Sequence, residues 1–405
     1  MVRPTRRAAG LIGGAIVLFL IGTNVQSGWL FALGAMLVGA TLVGMILPPL
    51  MVRGLEIERR APADAHAGDD VAVDLVVTNP TRRSRLSLSL RDRHISPFTA
   101  FVPSLSPGET VLVGTLRRAA RRGVVDGEPL LVGSAAPFGA GRAVRKVPAP
   151  GRTVVFPRVV PLSWMPELAS ASKPLQASSV QARKGTGHDF IGIREYRPGD
   201  ALRHVHWPTT ARAGSLMVRE FEQELPRRTG VVIDSSGDRG SDESLLDVAC
   251  SAAGSIALHA LGAGHPVSIV SGSDSRPRAV TEADSVEALT FLAELRAPGA
   301  MTGPQLLEAA AAPLGRLDTV VAVLGTWTHN DPDEILRSLA GYEGMQIIAV
   351  LVEADSFDGK PTGAVPMSPL GSDGLATALA AAEATVFRVR SGDDLAAALE
   401  QPWAV

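Results

Sequence analysis

The chain has 405 residues, more than one hydrophobic core usually serves, so two or three domains are expected. Hydrophobic residues make up 46% and charged residues 20%, a balance too polar for a many-span transporter but apolar enough for a membrane-embedded minority. A formal net charge of -2 gives no global field toward nucleic acid, which is not an expected partner, and Cys250, the one cysteine, excludes an intrachain disulfide and a Cys-based zinc site.

In chain order, residues 8–22 ("AAGLIGGAIVLFLIG", extending to about Val25) and 29–51 ("WLFALGAMLVGATLVGMILPPLM") carry no charge. The second is long enough for a bilayer, which needs about 20 apolar residues. Arg3, Arg6 and Arg7 before an apolar run could also open a signal peptide, but no small-x-small cleavage pattern follows in "TNVQSGWLF". Residues 1–52 therefore read as two transmembrane helices, about 8–25 and 29–51. Arginines on both outer flanks, Arg3, Arg6 and Arg7 on one and Arg53, Arg59 and Arg60 on the other, predict cytoplasmic soluble domains.

Residues 53–160 alternate with period two in "VAVDLVVTN" and "LSLSLRD", broken by the turn clusters "AHAGDD", "NPTRRS" and "SLSPGET". This is the pattern of an all-β sandwich. The basic run "RRAARR", Arg117 to Arg122, could touch lipid headgroups near the membrane but reads better as a solvated strand edge. A Ser-, Pro- and Ala-rich linker occupies 161–186. Residues 187–224 form a connector containing "IREYRPGDALRHVHWPTTAR". There Pro198 and Gly199 have the residues of a type II turn, and Asp200 caps a short helix with Leu202 and Val205 on its buried side, which Pro208 ends. "SLMVREFEQE" should follow as a strand beside "TGVVIDSS" at the edge of the next sheet. The charged groups of the connector, with Tyr196 and Trp207 packed among them, read as a salt-bridged latch or as a recognition surface led by Arg194, Arg197, Arg203 and Arg212.

From 225 to 405, continuous apolar runs of strand length ("TGVVIDSS", "PVSIVSG", "TVVAVLGTW", "MQIIAVLVEAD", "TVFRVRS") alternate with helical segments such as "SLLDVACSAAGSIALHALGAG" and "GPQLLEAAAAPLGRL". Strands buried on both faces and joined by helices predict a doubly wound α/β domain that binds at the carboxyl ends of its strands. The first strand ends in "DSSGD". Asp234 and Ser236 on one loop are hard oxygen donors suited to a divalent cation that keeps several waters, Mg²⁺ or Mn²⁺.

Asp234-x-Ser236 resembles the metal-ion-dependent adhesion site of von Willebrand factor A domains, with Asp238 where that motif has its last serine and Thr302 as the loop threonine. The family's aspartate after the fourth strand is replaced by Gly325 and Thr326. Asp234, Ser236, Asp238 and Ser241 could equally be turn and helix-capping residues.

Gly187, Phe190, Gly192, Arg194, Glu195, Tyr196, Pro198, Gly199, Asp200, Arg203, Trp207, Ala211, Arg212, Val218, Arg219, Glu220 and Phe221 resemble the signature of the domain of unknown function 58 family. The resemblance implies a membrane-anchored bacterial protein of the inner membrane with a von Willebrand factor A-like domain, associated with a MoxR-type AAA+ ATPase. No GxxxxGK[ST] loop occurs in the sequence, so the ATP chemistry would be the partner's. The expectation is a non-enzymatic adaptor or scaffold. The alternative is a metal-dependent hydrolase using Asp234 and Asp238 with the connector histidines, His204 and His206.

Overall fold

The computed structural model describes residues 2–163, 165, 184–197, 202–222, 226–272, 276–362 and 371–403, with side chains outside the description at 184–191, 203, 220–222 and 371. The chain divides into two compact units: Met1–Arg158 with Leu289–Glu294, and Val159–Ala288 with Leu295–Val405.

The first unit opens with a short strand, β1 (Val2–Pro4), and two long apolar helices, α1 (Arg6–Val25) and α2 (Gly28–Met51). Both helices are long and apolar enough to cross a membrane, and they fit a membrane anchor. Gln26, in the left-handed region at φ 49°, reverses the chain between them. The helix Leu245–Gly262 has comparable length and composition, but 72% of its apolar window is buried within the fold, so it is a core helix.

Strands β2 (Glu56–Arg60), β3 (Asp64–His66), β4 (Asp70–Thr78), β5 (Arg85–Asp92), β6 (Phe98–Leu105), β7 (Thr110–Arg118), β8 (Gly123–Asp126), β9 (Leu130–Ser134), β10 (Gly141–Val147) and β11 (Arg152–Phe156) build the β region. They form sheets of order β1-β10-β9-β5-β6, β2-β4-β7 and β3-β11-β8. The predicted alternation is physical: in β4, Val71, Val73, Leu75 and Val77 are buried while Asp70 and Ala72 are exposed. Leu75, Val77, Leu88, Leu90, Val102 and Val132 share one core, each burial being worth about 1.5–3 kcal/mol. The unpredicted element is β1, which extends the larger sheet by pairing antiparallel with β10.

A buried ionic cluster ties the sheets together. Asp92 accepts from Arg59 Nη2 at 2.6 Å and Nε at 3.2 Å, and from Arg117 Nη1 at 2.7 Å. Arg117 Nη1 also donates to the carbonyl of His94 at 2.9 Å, and its guanidinium lies 5.0 Å from the centre of the Phe98 ring. Burial pushes the Asp92 carboxyl up, but the hydrogen bonds from Arg59 and Arg117 outweigh it and hold the group below the usual carboxylate range. Arg117, expected on a solvated edge, is instead 2% exposed.

In the second unit, β12 (Lys184–Glu195) and β13 (Met217–Glu222) pair antiparallel as a separate ribbon. The expected pairing of "SLMVREFEQE" with "TGVVIDSS" is therefore wrong: the partner of β13 is the strand before it in the connector. Strands β14 (Thr229–Ile233), β15 (Val267–Ser271), β16 (Arg278–Ala283), β17 (Thr319–Gly325), β18 (Gln346–Val352) and β19 (Thr385–Val389) form a mixed sheet of order β16-β15-β14-β17-β18-β19. All neighbours are parallel except the edge strand β16. β14, β15 and β17 are buried at every position, which explains their unbroken apolar runs.

The helices that follow the connector ribbon's first strand are α3 (Trp207–Ala213), α4 (Leu245–Gly262), α5 (Ser285–Glu294), α6 (Gly303–Leu314), α7 (Pro332–Leu339), α8 (Gly371–Ala381) and α9 (Leu395–Glu400); all belong to this unit except the Leu289–Glu294 part of α5, which falls in the first. The chain order reverses at β14, with β15 on one side and β17 on the other. That reversal opens a crevice beyond their carboxyl ends.

Candidate functional site at the strand-end crevice

Asp234 directly follows β14, and its backbone N–H donates to the carbonyl of Val323 on β17 at 2.9 Å, which holds the residue at the reversal point. The residue is 1% exposed. Oδ1 accepts from the Ser236 backbone N–H at 2.9 Å and from Ser236 Oγ at 2.5 Å. Oδ2 accepts from Asn330 Nδ2 at 2.7 Å. The same Asn330 nitrogen donates to the Gly325 carbonyl at 2.7 Å, while Asn330 Oδ1 accepts from the Gly303 N–H at 3.1 Å. One amide thus joins the loops after β14, after β17 and before α6. Glycine is required at 303, because a Cβ there would lie 2.4 Å from Asn330 Oδ1.

His329 Nε2 lies 2.6 Å from Ser236 Oγ. The Ser236 hydroxyl already donates to Asp234, so the imidazole N–H donates to the hydroxyl oxygen. This is the reverse of a nucleophile–base pair, in which the ring would accept the serine proton. Burial pushes the His329 imidazole below its usual range, against the opposing pull of the Asp234 carboxylate. Trp327, wholly buried two residues before His329, anchors this loop, and its Nε1 has no acceptor among the described residues.

Of the predicted metal donors, Asp234 and Ser236 come together. Asp238 turns to a structural task, with Oδ1 accepting from the N–H groups of Arg239 and Leu246, both at 2.9 Å, at the start of α4. Thr302 is the N-cap of α6, and its N–H donates to Gln305 Oε1 at 3.1 Å. It reaches the site through its neighbour Gly303 and Asn330. Among the described residues, no three His, Cys, Asp or Glu side chains converge as a metal centre. One carboxylate and one hydroxyl are the right chemistry for a Mg²⁺ or Mn²⁺ ion that keeps most of its waters, but they supply a single negative charge. Asn330 and His329 are the residues the sequence reading missed. His329 lies four and Asn330 five positions beyond the end of β17 at Gly325, so reading past Gly325 and Thr326 to the end of "GTWTHN" would have found them.

The connector departs from its expected form. Pro198, Gly199 and Asp200 lie outside the described residues, as do the side chains of Arg203 and Glu220. Leu202–His204 is a single 3-10 turn in which Leu202 is 66% exposed, while Val205 is buried and bridges Val218. Pro208 does not end a helix but sits in the first turn of α3, where its missing N–H costs nothing. Trp207, expected to be packed, is 66% exposed. His206 Nδ1 pairs with Thr209 Oγ1 at 2.8 Å, a local contact at the start of the helix. Tyr196 N–H donates to the Leu216 carbonyl at 2.7 Å, Arg194 Nη1 to the Glu195 carbonyl at 3.0 Å, and Ser215 Oγ to Glu195 Oε1 at 3.3 Å. Arg212 falls in the last turn of α3, and Arg219 lies opposite Ile193 in the ribbon.

A depression of about 910 Å³ lies in the β region among Arg91, Arg93, Phe98, Asp126 and Glu128. It is open and mixes both signs of charge without a convergent polar set, so the strand-end crevice remains the better candidate.

The family model described as "Protein of unknown function DUF58" matches residues 192–358, from the connector ribbon through β18 to Asp358. The match supports the resemblance to that family and takes in Asp234, Ser236, His329 and Asn330. No curated protein matches the chain significantly. Among solved structures, the chain is similar at 13% identity to the CARDB domain of a Pyrococcus furiosus protein, covering 25% of this chain and 95% of that one with a TM-score of 0.17. It is similar at 15% identity to the Pseudomonas fluorescens alkylpurine DNA glycosylase AlkC bound to DNA, covering 30% and 40% with a TM-score of 0.16. It is similar at 11% identity to the GH20 exo-β-N-acetylglucosaminidase of Vibrio harveyi, covering 74% and 57% with a TM-score of 0.19. At these scores the three likenesses carry no inference about fold or activity.

Proposed function

We propose that the chain is a membrane-anchored, non-enzymatic adaptor whose α/β unit, built as a von Willebrand factor A-like domain, engages a partner at the crevice around Asp234. The observation that carries this reading is the carboxylate of a residue 1% exposed, at the sheet's reversal point, whose described donors are all neutral. A buried negative charge without a cation is costly, and one supplied from outside removes the cost. That cation is a Mg²⁺ or Mn²⁺ ion at Asp234 and Ser236, or a basic side chain of the partner. A bound ion would add a Lewis-acidic bridging centre. The chain's own contribution is to hold Asp234 and Ser236 in place through Asn330 and His329.

The partner proposed from the family resemblance is a MoxR-type AAA+ ATPase, and the location is a bacterial inner membrane with both soluble regions cytoplasmic. The arginine flanks of the helices support that sidedness. The hydrolase alternative is weaker, because Asp238 is committed to α4 and His206 to Thr209.

The test is crosslinking of the full chain in native membranes followed by identification of captured proteins. A AAA+ ATPase should be enriched with the wild type and lost with Asp234→Asn. Equal recovery with both would sink the crevice as the contact, and absence of any such ATPase would sink the partner. Calorimetry with Mg²⁺ and Mn²⁺ decides between ion and side chain: no heat of binding to the wild-type protein eliminates the ion.

A further inference from the structure

The first unit contains a feature that an anchor alone does not require. The β9–β10 hairpin tip, residues 135–140, lies against the helix pair below the helices' outer ends. Thr5, just before α1, donates its N–H to the Ala140 carbonyl at 2.9 Å and its Oγ1 to the Gly139 carbonyl at 2.5 Å. On α2, Thr41, Gly44, Pro48 and Met51 are buried along one face. Gly44 permits the contact, since a Cβ there would lie 2.8 Å from Ala140 Cβ. On the same turns, Leu42, Val43 and Ile46 are exposed at 58%, 43% and 63%. That apolar surface is suited to acyl chains.

Depth follows from helix geometry. Gly44 lies sixteen residues after Gly28, at the start of α2, about 24 Å along the axis at 1.5 Å per residue. With the start of α2 at one face of a hydrocarbon slab about 30 Å thick, the hairpin tip would meet the helix within the margin of the opposite face. Phe138 stands at this tip, 50% exposed. The Arg7 guanidinium comes within 3.0 Å of the point where Gly139 would carry a Cβ. Charge agrees with depth: residues 1–55, 79–85 and 135–142 contain no Asp or Glu, while Arg82, Arg83 and Arg142 are exposed. The loop 79–84 belongs to this end of the unit, as Arg85, the first residue of β5, donates from Nη1 to the Leu50 carbonyl at 2.7 Å.

We propose that this end of the β region is an anionic-lipid-binding surface. Phe138 inserts at the acyl-chain boundary of the leaflet from which α1 and α2 emerge, and Arg82, Arg83 and Arg142 hold the phosphates of anionic phospholipids around it. The proposal rests on the reading of α1 and α2 as membrane-spanning and goes beyond it, because two spans can anchor a domain that never touches the bilayer.

The test uses the full chain reconstituted in phosphatidylcholine vesicles with about a quarter phosphatidylglycerol. A nitroxide at Phe138→Cys, in a Cys250→Ala background, is compared with labels at Leu116→Cys and Leu20→Cys. Collision with a water-soluble nickel chelate should be about threefold lower at 138 than at 116, and collision with oxygen higher. Equal nickel access at 138 and 116, with position 20 protected, overturns the insertion. Nickel access at position 20 instead shows that the spanning reading failed, and the proposal with it. Spin-labelled phosphatidylglycerol should be immobilised about twofold more than spin-labelled phosphatidylcholine, and Arg82→Gln, Arg83→Gln and Arg142→Gln together should remove the preference. Equal immobilisation of the two lipids by the wild type overturns the headgroup contact.

Discussion

Asp92 in the β region and Asp234 at the strand-end crevice are both 1% exposed, yet their surroundings differ in kind. Asp92 lies between the guanidinium groups of Arg59 and Arg117, whose side chains are themselves 0% and 1% exposed. Asp234 takes its described hydrogen bonds from a backbone N–H, a hydroxyl and an amide. The first cluster contains its own countercharge and has no need of a ligand. Among the described residues the second satisfies the geometry of the carboxylate but not its charge. Burial alone therefore does not set the carboxylate proposed as functional apart from a structural one; the charge of its described partners does.

The largest break in this comparison is expected at Asp92. Asp92→Ala leaves two arginines buried without a counterion and should destabilise the β region by about 3–5 kcal/mol, read as a fall in its denaturant midpoint. A loss under about 1 kcal/mol would mean that the cluster relaxes to solvent. Asp234→Asn should cost less, about 1–2 kcal/mol, since neutral donors lose only part of their bonding. Its partner recovery should nevertheless vanish, so stability and function separate at Asp234 but not at Asp92.

Acidification gives the next smaller effect. His329 is held below its usual range by burial, so below about pH 6.5 the unfolded chain takes up a proton that the folded one resists. Stability of the α/β unit falls as the pH drops from there through the folded value. His94 in the β region, also lowered by burial and by Arg59, contributes in the same direction. Asp92, held low, keeps its contribution above the ordinary carboxylate value of about 3.9 and loses it only as the pH falls through its depressed folded value. His329→Gln should shrink the difference in the α/β unit's midpoint between neutral and mildly acidic pH; an unchanged difference would remove His329 as its source. The smallest effect belongs to Trp207→Ala. At 66% exposure it should change stability by no more than about 0.5 kcal/mol. A larger loss would restore the packed latch expected of the connector.

The legible part of the fold was the part with a period. The apolar runs named α1 and α2 to within two residues at each end, and "TGVVIDSS" through "TVFRVRS" located β14, β15, β17, β18 and β19. The antiparallel edge strand β16, "RAVTEA", was not legible because a half-exposed strand of mixed character has no clear pattern. The connector was misread because Pro208 opens a helix as readily as it closes one, and because β13 had two candidate partners of similar apolar content. At the site, Asp234 and Ser236 were legible as a strand-end pair. Asp238 was not, since an aspartate that ligates and one that caps a helix look alike in sequence.

By itself the sequence determined the two apolar helices, the change from period-two strands to buried parallel ones, and the absence of a phosphate-binding GxxxxGK[ST] loop, all properties of local pattern and composition. Tertiary structure alone decided that Asn330 and His329 reach back across 96 and 93 residues to Asp234 and Ser236. It also decided that Ala140 comes to rest beside Gly44. These are relations between segments whose spacing carries no period, and they exist only once the sheet order and the β1–β10 pairing have closed the chain on itself.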